Sequence, residues 1–251
     1  MNEHELFKCI GEIGRLLLRH SAEIYRVEES LKRMCKSYGF KDIGVFALPS
    51  YFTLGATLHD GSSPSIIIRT IQNRTNLDCV YELNNLVRYI CQYQPDETYI
   101  KKEIERIKNL PEKMNLVFLG YGIGAGFFAV FFGGGLSEFV AATIIGFITY
   151  FVVWLHEILE INALVRTMVT SMVLSACAII SYHFHLIHLL QPTIIGCLMV
   201  LVPGMAITNS LRDIMSGDYI SGQARMLEAF LTATAIALGV GSMLVLLKGL
   251  I

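Results

Sequence analysis

Pro203 and Gly204 interrupt an otherwise continuous apolar stretch, and polar residues follow at short intervals: Thr208, Asn209, Arg212, Asp213, Gly217, Asp218, Ser221, Arg225 and Glu228. Proline cannot donate a backbone hydrogen to the carbonyl of Met199, and glycine loosens the next turn. A helix broken at membrane depth is tolerated where protein or a wet cavity satisfies the freed groups. Freed backbone dipoles can then hold an anionic or zwitterionic solute. Pro203, Gly204, Thr208 and Asn209 are therefore candidates for solute contact. Arg212 and Arg225 can attract a carboxylate, and Asp213 and Asp218 can pair with them or relay protons. With Gly217, Ser221 and Glu228 they make a candidate gating segment at the cytoplasmic mouth of the broken helix. Two plainer readings stand beside this one: a simple proline kink, and an interfacial ion-pair cluster that anchors helix ends.

Other residues offer other chemistry. His20, Ser21, Glu23, His59 and Asp60 are types that a hydrolase uses. No G-x-S-x-G surrounds a serine and no H-E-x-x-H occurs, so a catalytic amino-terminal domain is the alternative, not the leading, expectation. Glu23, Arg26 and Glu29 read as a solvated helix face. His183, His185 and His188 cluster late in an apolar segment but lack a carboxylate or cysteine close in sequence, and no metal or cofactor is expected. The six cysteines show no C-x-x-C spacing and read as small buried hydrophobes. No phosphate-binding G-x-x-x-x-G-K-[ST] is present, which argues against direct ATP use.

The elements that must position these residues follow from charge and periodicity. Sixteen of the 20 Lys and Arg residues precede Asn115, and from there to Ile251 only ten residues carry charge. A helical residue rises about 1.5 Å and the bilayer hydrocarbon is about 30 Å thick, so about twenty apolar residues span it. The chain thus divides into an α+β domain, 1–114, and a membrane domain, 115–251. The first has helices at Glu3–Arg19, Ser21–Tyr38, Leu77–Tyr93 and Asp96–Lys108, and strands at Ile43–Leu48, Tyr51–His59 and Ser65–Thr70. Ile100, Ile104 and Ile107 form a narrow stripe that suggests a helix on the membrane surface or one leading into the first span. The domain has no basic block suited to nucleic acid.

Five spans are expected: Asn115–Phe132, Phe139–Leu155, Thr167–Leu190, Thr193–Leu211 and Ala229–Leu247. In the first, Gly120/Gly124 and Gly122/Gly126 suit close helix packing. Lys and Arg flank alternate ends, which places the amino-terminal domain in the cytoplasm and the carboxy terminus outside. Five spans make half of an inverted-repeat transporter, so a partner, either a second copy or another polypeptide, is expected to supply the rest.

With these residues in view, the chain resembles the threonine/serine exporter family, and in length the larger subunit of its split, two-component form. The resemblance runs through Leu16-Leu17-Leu18-x-x-Ser21-Ala22-Glu23-x-Tyr25-Arg26-Val27-Glu28-Glu29. It continues through Val202-Pro203-Gly204, Asn209-x-x-Arg212-Asp213, Gly217-Asp218, Ser221-Gly222, Arg225 and Glu228. The resemblance implies a multi-pass inner-membrane secondary transporter, not an enzyme. Its cargo would be small carboxylate-bearing metabolites, threonine and serine or dicarboxylates such as succinate. A small membrane subunit would be its partner, in a hetero- or homo-oligomer.

Overall fold

A computed structural model describes residues 2–70, 76–111 and 113–250, and the chain divides into two compact units. The first comprises Met1–Pro111 together with Ile207–Met226; the second comprises Glu112–Ala206 and Leu227–Ile251. Residues 207–226, which the sequence analysis places in the membrane domain, thus pack with the amino-terminal residues.

In the first unit, α1 (Glu3–Arg19) and α2 (Ile24–Ser37) precede an antiparallel sheet of β1 (Lys41–Leu48), β2 (Tyr51–Thr57) and β3 (Ser65–Arg69) in the order β1-β2-β3. The strands are short because Pro49-Ser50 and Asp60-Gly61 turn the chain. α3 (Leu77–Tyr93) and α4 (Glu97–Lys108) follow, started by the side chains of Asn76 and Asp96, which accept the N–H of Cys79 and Tyr99. Leu6, Ile10, Ile13, Leu16 and Leu17 of α1 meet Ile24, Val27, Leu31 and Met34 of α2 in one core, with Phe52 and Leu54 of β2. Ile100, Ile104 and Ile107 are buried in that same core. Their stripe is narrow because it fits a groove of the domain, and it does not face a membrane.

In the second unit, α5 (Met114–Phe131), α6 (Leu136–Ile158) and α7 (Ala163–His183) are each long and apolar enough to cross a membrane, as is α10 (Tyr219–Leu246), whose first eight residues belong to the first unit. Between α7 and α10, α8 (Leu190–Met199) and α9 (Gly204–Met215) form one further span only if taken together; they are bent by 59°. Among the described residues four helices are long and apolar enough to cross a membrane, or five if the bent pair counts as one span, as in a multi-pass membrane protein.

Small residues let the helices close up. A side chain at Gly122 or Gly126 would run into Phe147 or Thr143 of α6, and one at Gly196 into the backbone at Ala125 and Ala129. Gly120 faces open space and Gly124 makes ordinary contact, so of the two expected glycine pairs only Gly122/Gly126 packs tightly. The third span ends at His183, seven residues before the expected Leu190. His185 takes φ +55°, and the N–H groups of His185 and Leu186 return to the carbonyls of Tyr182 and Ser181, which closes the helix without a glycine.

Candidate functional site

The break itself occupies residues 200–203. The N–H groups of Leu201 and Val202 both return to the carbonyl of Leu198, and that of Gly204 to Val202, so the ladder tightens and stops before Pro203. Pro203 is half-buried, while Gly204 is exposed and has nothing within 4 Å of where a side chain would project. Close packing is therefore not what requires a glycine there.

Beyond the break, α9 and the start of α10 form a helical hairpin. Gly217, at φ +90°, closes α9: its N–H bonds the carbonyl of Ile214, and that of Asp218 bonds the carbonyl of Asp213. Gly222 lets the helices touch, since a side chain there would meet Ile214 and the Ser210 carbonyl. Ser210 Oγ donates to the Gly222 carbonyl at 2.7 Å. Ser221, Gly222, Arg225 and Glu228, which the sequence analysis leaves between the fourth and fifth spans, are thus helical, the first three within the part of α10 that belongs to the first unit.

The hairpin turns its polar groups onto the α1–α2 junction. That junction is a helix stop with Ser21 in the left-handed region, at φ +64°; the N–H groups of Ser21 and Ala22 return to Leu18 and Leu17. The turn presents its carbonyls: Asn209 Nδ2 donates to Ser21 O at 3.2 Å, and an Arg225 guanidinium nitrogen to Ala22 O at 2.8 Å. Asp213 Oδ1 accepts the Ile24 N–H at 3.3 Å. Its Oδ2 faces Arg225 Nε at 3.4 Å, an ion pair without hydrogen-bond geometry. Arg212 pairs with Glu23, whose other oxygen meets Arg26 Nε at 2.7 Å. Ser221 Oγ reaches the Ala47 carbonyl at 3.5 Å. Asn209 is 4% exposed, Asp213 0% and Arg225 7%.

The structure therefore brings Asn209, Arg212, Asp213, Ser221 and Arg225 into one polar cluster, with Gly217 shaping the turn. Thr208 and Glu228 are exposed, and neither makes a side-chain bond to the cluster; Pro203 and Gly204 lie at the other end of α9. Glu23, read from sequence as part of a solvated face, is buried at the cluster's edge, whereas Arg26 and Glu29 are exposed. Its position within Ser21-Ala22-Glu23 was the available signal, because a helix-stop residue and its neighbours face inward when a second element covers the turn.

Beside the cluster lies a cavity of about 450 Å³ lined by carboxylates (Glu28, Glu29, Asp218) and cations (Lys32, Arg33, Lys36), with Tyr25 and Ser216. Glu28 accepts the Ala47 N–H at 2.9 Å and meets Lys32 at 3.3 Å. Burial, and then the nearby Glu28 charge, push the Asp218 carboxyl above its ordinary range. In the second unit, Tyr182, His183, His185 and His188 line another cavity, of about 420 Å³. Among the described residues no group of three His, Cys, Asp or Glu is placed to hold a metal ion.

The sequence profile of the ThrE family, described as "Putative threonine/serine exporter", matches residues 8–247. The chain belongs to this family. No curated protein and no solved structure matches it significantly. The family's profile spans both sequence blocks that the fold joins, Ser21–Glu29 and Asn209–Arg225. ThrE is a transporter family, and the apolar helices provide the membrane part that transport needs.

Proposed function

We propose that the chain is a secondary transporter subunit that exports threonine, serine or a closely similar small amino acid from the cytoplasm across the inner membrane. The observation that carries this reading is the construction of α9, one helix that begins at a proline break in an apolar stretch and ends in a buried pair of opposite charges. The amino-terminal domain would lie in the cytoplasm and the carboxy terminus outside, as the Lys and Arg flanks of the spans favour.

In this conformation Asn209, Asp213 and Arg225 are occupied with the 21–24 turn and one another, so the cluster is a closed latch. A zwitterion can open it by exchange. Its carboxylate can take the place of Asp213 beside Arg225, and its ammonium the place of Arg225 beside Asp213, which leaves no buried charge alone. The neighbouring cavity, with three carboxylates and three cations, suits a zwitterion better than a dicarboxylate. Release of the latch frees α9, and the motion reaches the break at Pro203, where the backbone groups of residues 199–204 would meet the passing solute. The missing spans would come from a second chain, either another copy or a small membrane subunit.

Efflux of labelled threonine, serine and succinate from proteoliposomes, with the chain reconstituted alone and with membrane extract, tests this reading. Threonine or serine flux that falls at least about tenfold in Asn209→Ala and Asp213→Ala, with assembly retained, supports it. Flux of succinate alone would replace the substrate, and undiminished flux in both variants would remove the site.

A further inference from the structure

We propose that Glu138 is a positioning residue for transport: a buried carboxylate that pegs the cap of α8 and the residue before it, and so fixes where the broken span begins. The proposal rests on the exporter reading above. Glu138 lies in the first turn of α6 and is 2% exposed. Its Oε2 accepts the Gly135 N–H at 2.7 Å and the Ser137 hydroxyl at 3.1 Å. Its Oε1 accepts the N–H groups of His188 and Leu189 at 2.7 and 3.0 Å, fifty and fifty-one residues along the chain.

The first pair of bonds completes the start of α6. The second pair holds Leu189, the cap of α8, and His188 just before it, where the dipole of the helix start favours a negative charge. A carboxylate this buried in a membrane unit is costly to hold unless every lone pair finds a donor, and here four donors converge on it. The preceding glycines make room: a side chain at Gly134 would crowd both Glu138 and the Ala129 carbonyl, at 2.8 and 2.9 Å.

α8 is only ten residues long, about 15 Å at the helical rise, and it ends at the break. Its far side is seated by Gly196 against Ala125 and Ala129. A short rod held at its start and along one face transmits any displacement of its start to residues 200–203. Glu138 touches no atom that a solute at the break would touch; it acts through α8.

The test uses the full chain in lipid nanodiscs and proteoliposomes, with Glu138→Ala, Glu138→Gln and Glu138→Asp. Amide hydrogen exchange at His188 and Leu189 reads the peg directly. The expected result is exchange about tenfold or more faster in Glu138→Ala, because bonds to a charged acceptor are lost. Glu138→Gln should be intermediate, since one carbonyl oxygen can serve only one of the two donor pairs. Exchange in α5 and α7 should stay unchanged. Threonine flux should fall in the same order, with the loss in maximal rate partly recovered in Glu138→Asp. Unchanged exchange at His188 and Leu189 overturns the peg. Faster exchange with wild-type flux overturns its part in transport. If wild type shows no flux, alone or with membrane extract, the exporter reading and the transport role fall together, while exchange still decides whether Glu138 holds the start of α8. Should Glu138→Ala not fold, Glu138→Gln carries both measurements.

Discussion

Replacing Asp213 by alanine removes two things at once from a fully buried position. The Ile24 N–H loses its acceptor at 3.3 Å, and Arg225, 8% exposed at its side chain, loses its counter-charge at 3.4 Å. Arg225 keeps the Ala22 carbonyl, which offsets part of the loss. Removing one partner of a buried ion pair costs about 3–5 kcal/mol, against a total stability of about 5–15 kcal/mol for a domain. At about 4 °C per kcal/mol for a unit of this size, the first unit should melt about 12–20 °C lower. Asp213→Asn keeps an oxygen for Ile24 and should lose less. Asp213→Ala with Arg225→Met should lose less than the sum of the single changes, by about 1–3 kcal/mol. The assay is thermal unfolding followed by a thiol-reactive dye in a Cys91→Ser/Cys177→Ser/Cys197→Ser background, which removes the half-buried thiol of the first unit. Cys9 and Cys35 are buried in the first unit, and burial pushes the Cys35 thiol up to about 12, so it reacts only on unfolding. A drop under 2 °C in Asp213→Ala, or strict additivity in the double variant, would refute the paired, buried reading of the cluster.

Ser21→Gly should raise the melting point of the first unit by the equivalent of about 1 kcal/mol and leave flux intact, because φ +64° strains serine and not glycine; a hydrolase using Ser21 would instead lose its activity, which esterase substrates would reveal. Gly222→Val should cost about 1–3 kcal/mol by forcing α10 off Ser210 and Ile214, read in the same dye assay. Asp218 has a raised folded pKa, so the folded state holds its proton more tightly than the unfolded chain does. The stability this contributes is full below the ordinary carboxyl range and is lost as pH rises through the folded pKa. Asp218→Asn should therefore flatten the fall in stability above about pH 4, and an unchanged pH profile would contradict it.

Most elements of the first unit could be read from sequence because their apolar period and caps agree: α3 runs from Leu77 to Tyr93 as expected, and α1 from Glu3 to Arg19. The interruption at Pro203 was equally legible, since proline acts through its own backbone. Helix ends at His183 and Arg19 use left-handed His185 and Ser21, residue types that do not advertise that conformation. The cluster was legible only in part. Asn209, Asp213 and Arg225 stood out as polar groups in an apolar region, but their partners lie 188, 189 and 203 residues away in the chain. Only the fold shows that Asp213 meets a turn amide rather than solvent. A single carboxylate beside an apolar stretch says nothing of its partners, and the four donors to Glu138, three backbone amides and one hydroxyl, come together only in the fold.

Threonine efflux from proteoliposomes bearing Pro203→Ala probes the broken helix most directly. Alanine restores the hydrogen that proline withholds from the Met199 carbonyl and lets α8 run on into α9. Transport through the break predicts flux reduced at least about tenfold, with the melting point of the first unit unchanged. Wild-type flux through a straightened helix would show that the solute passes elsewhere.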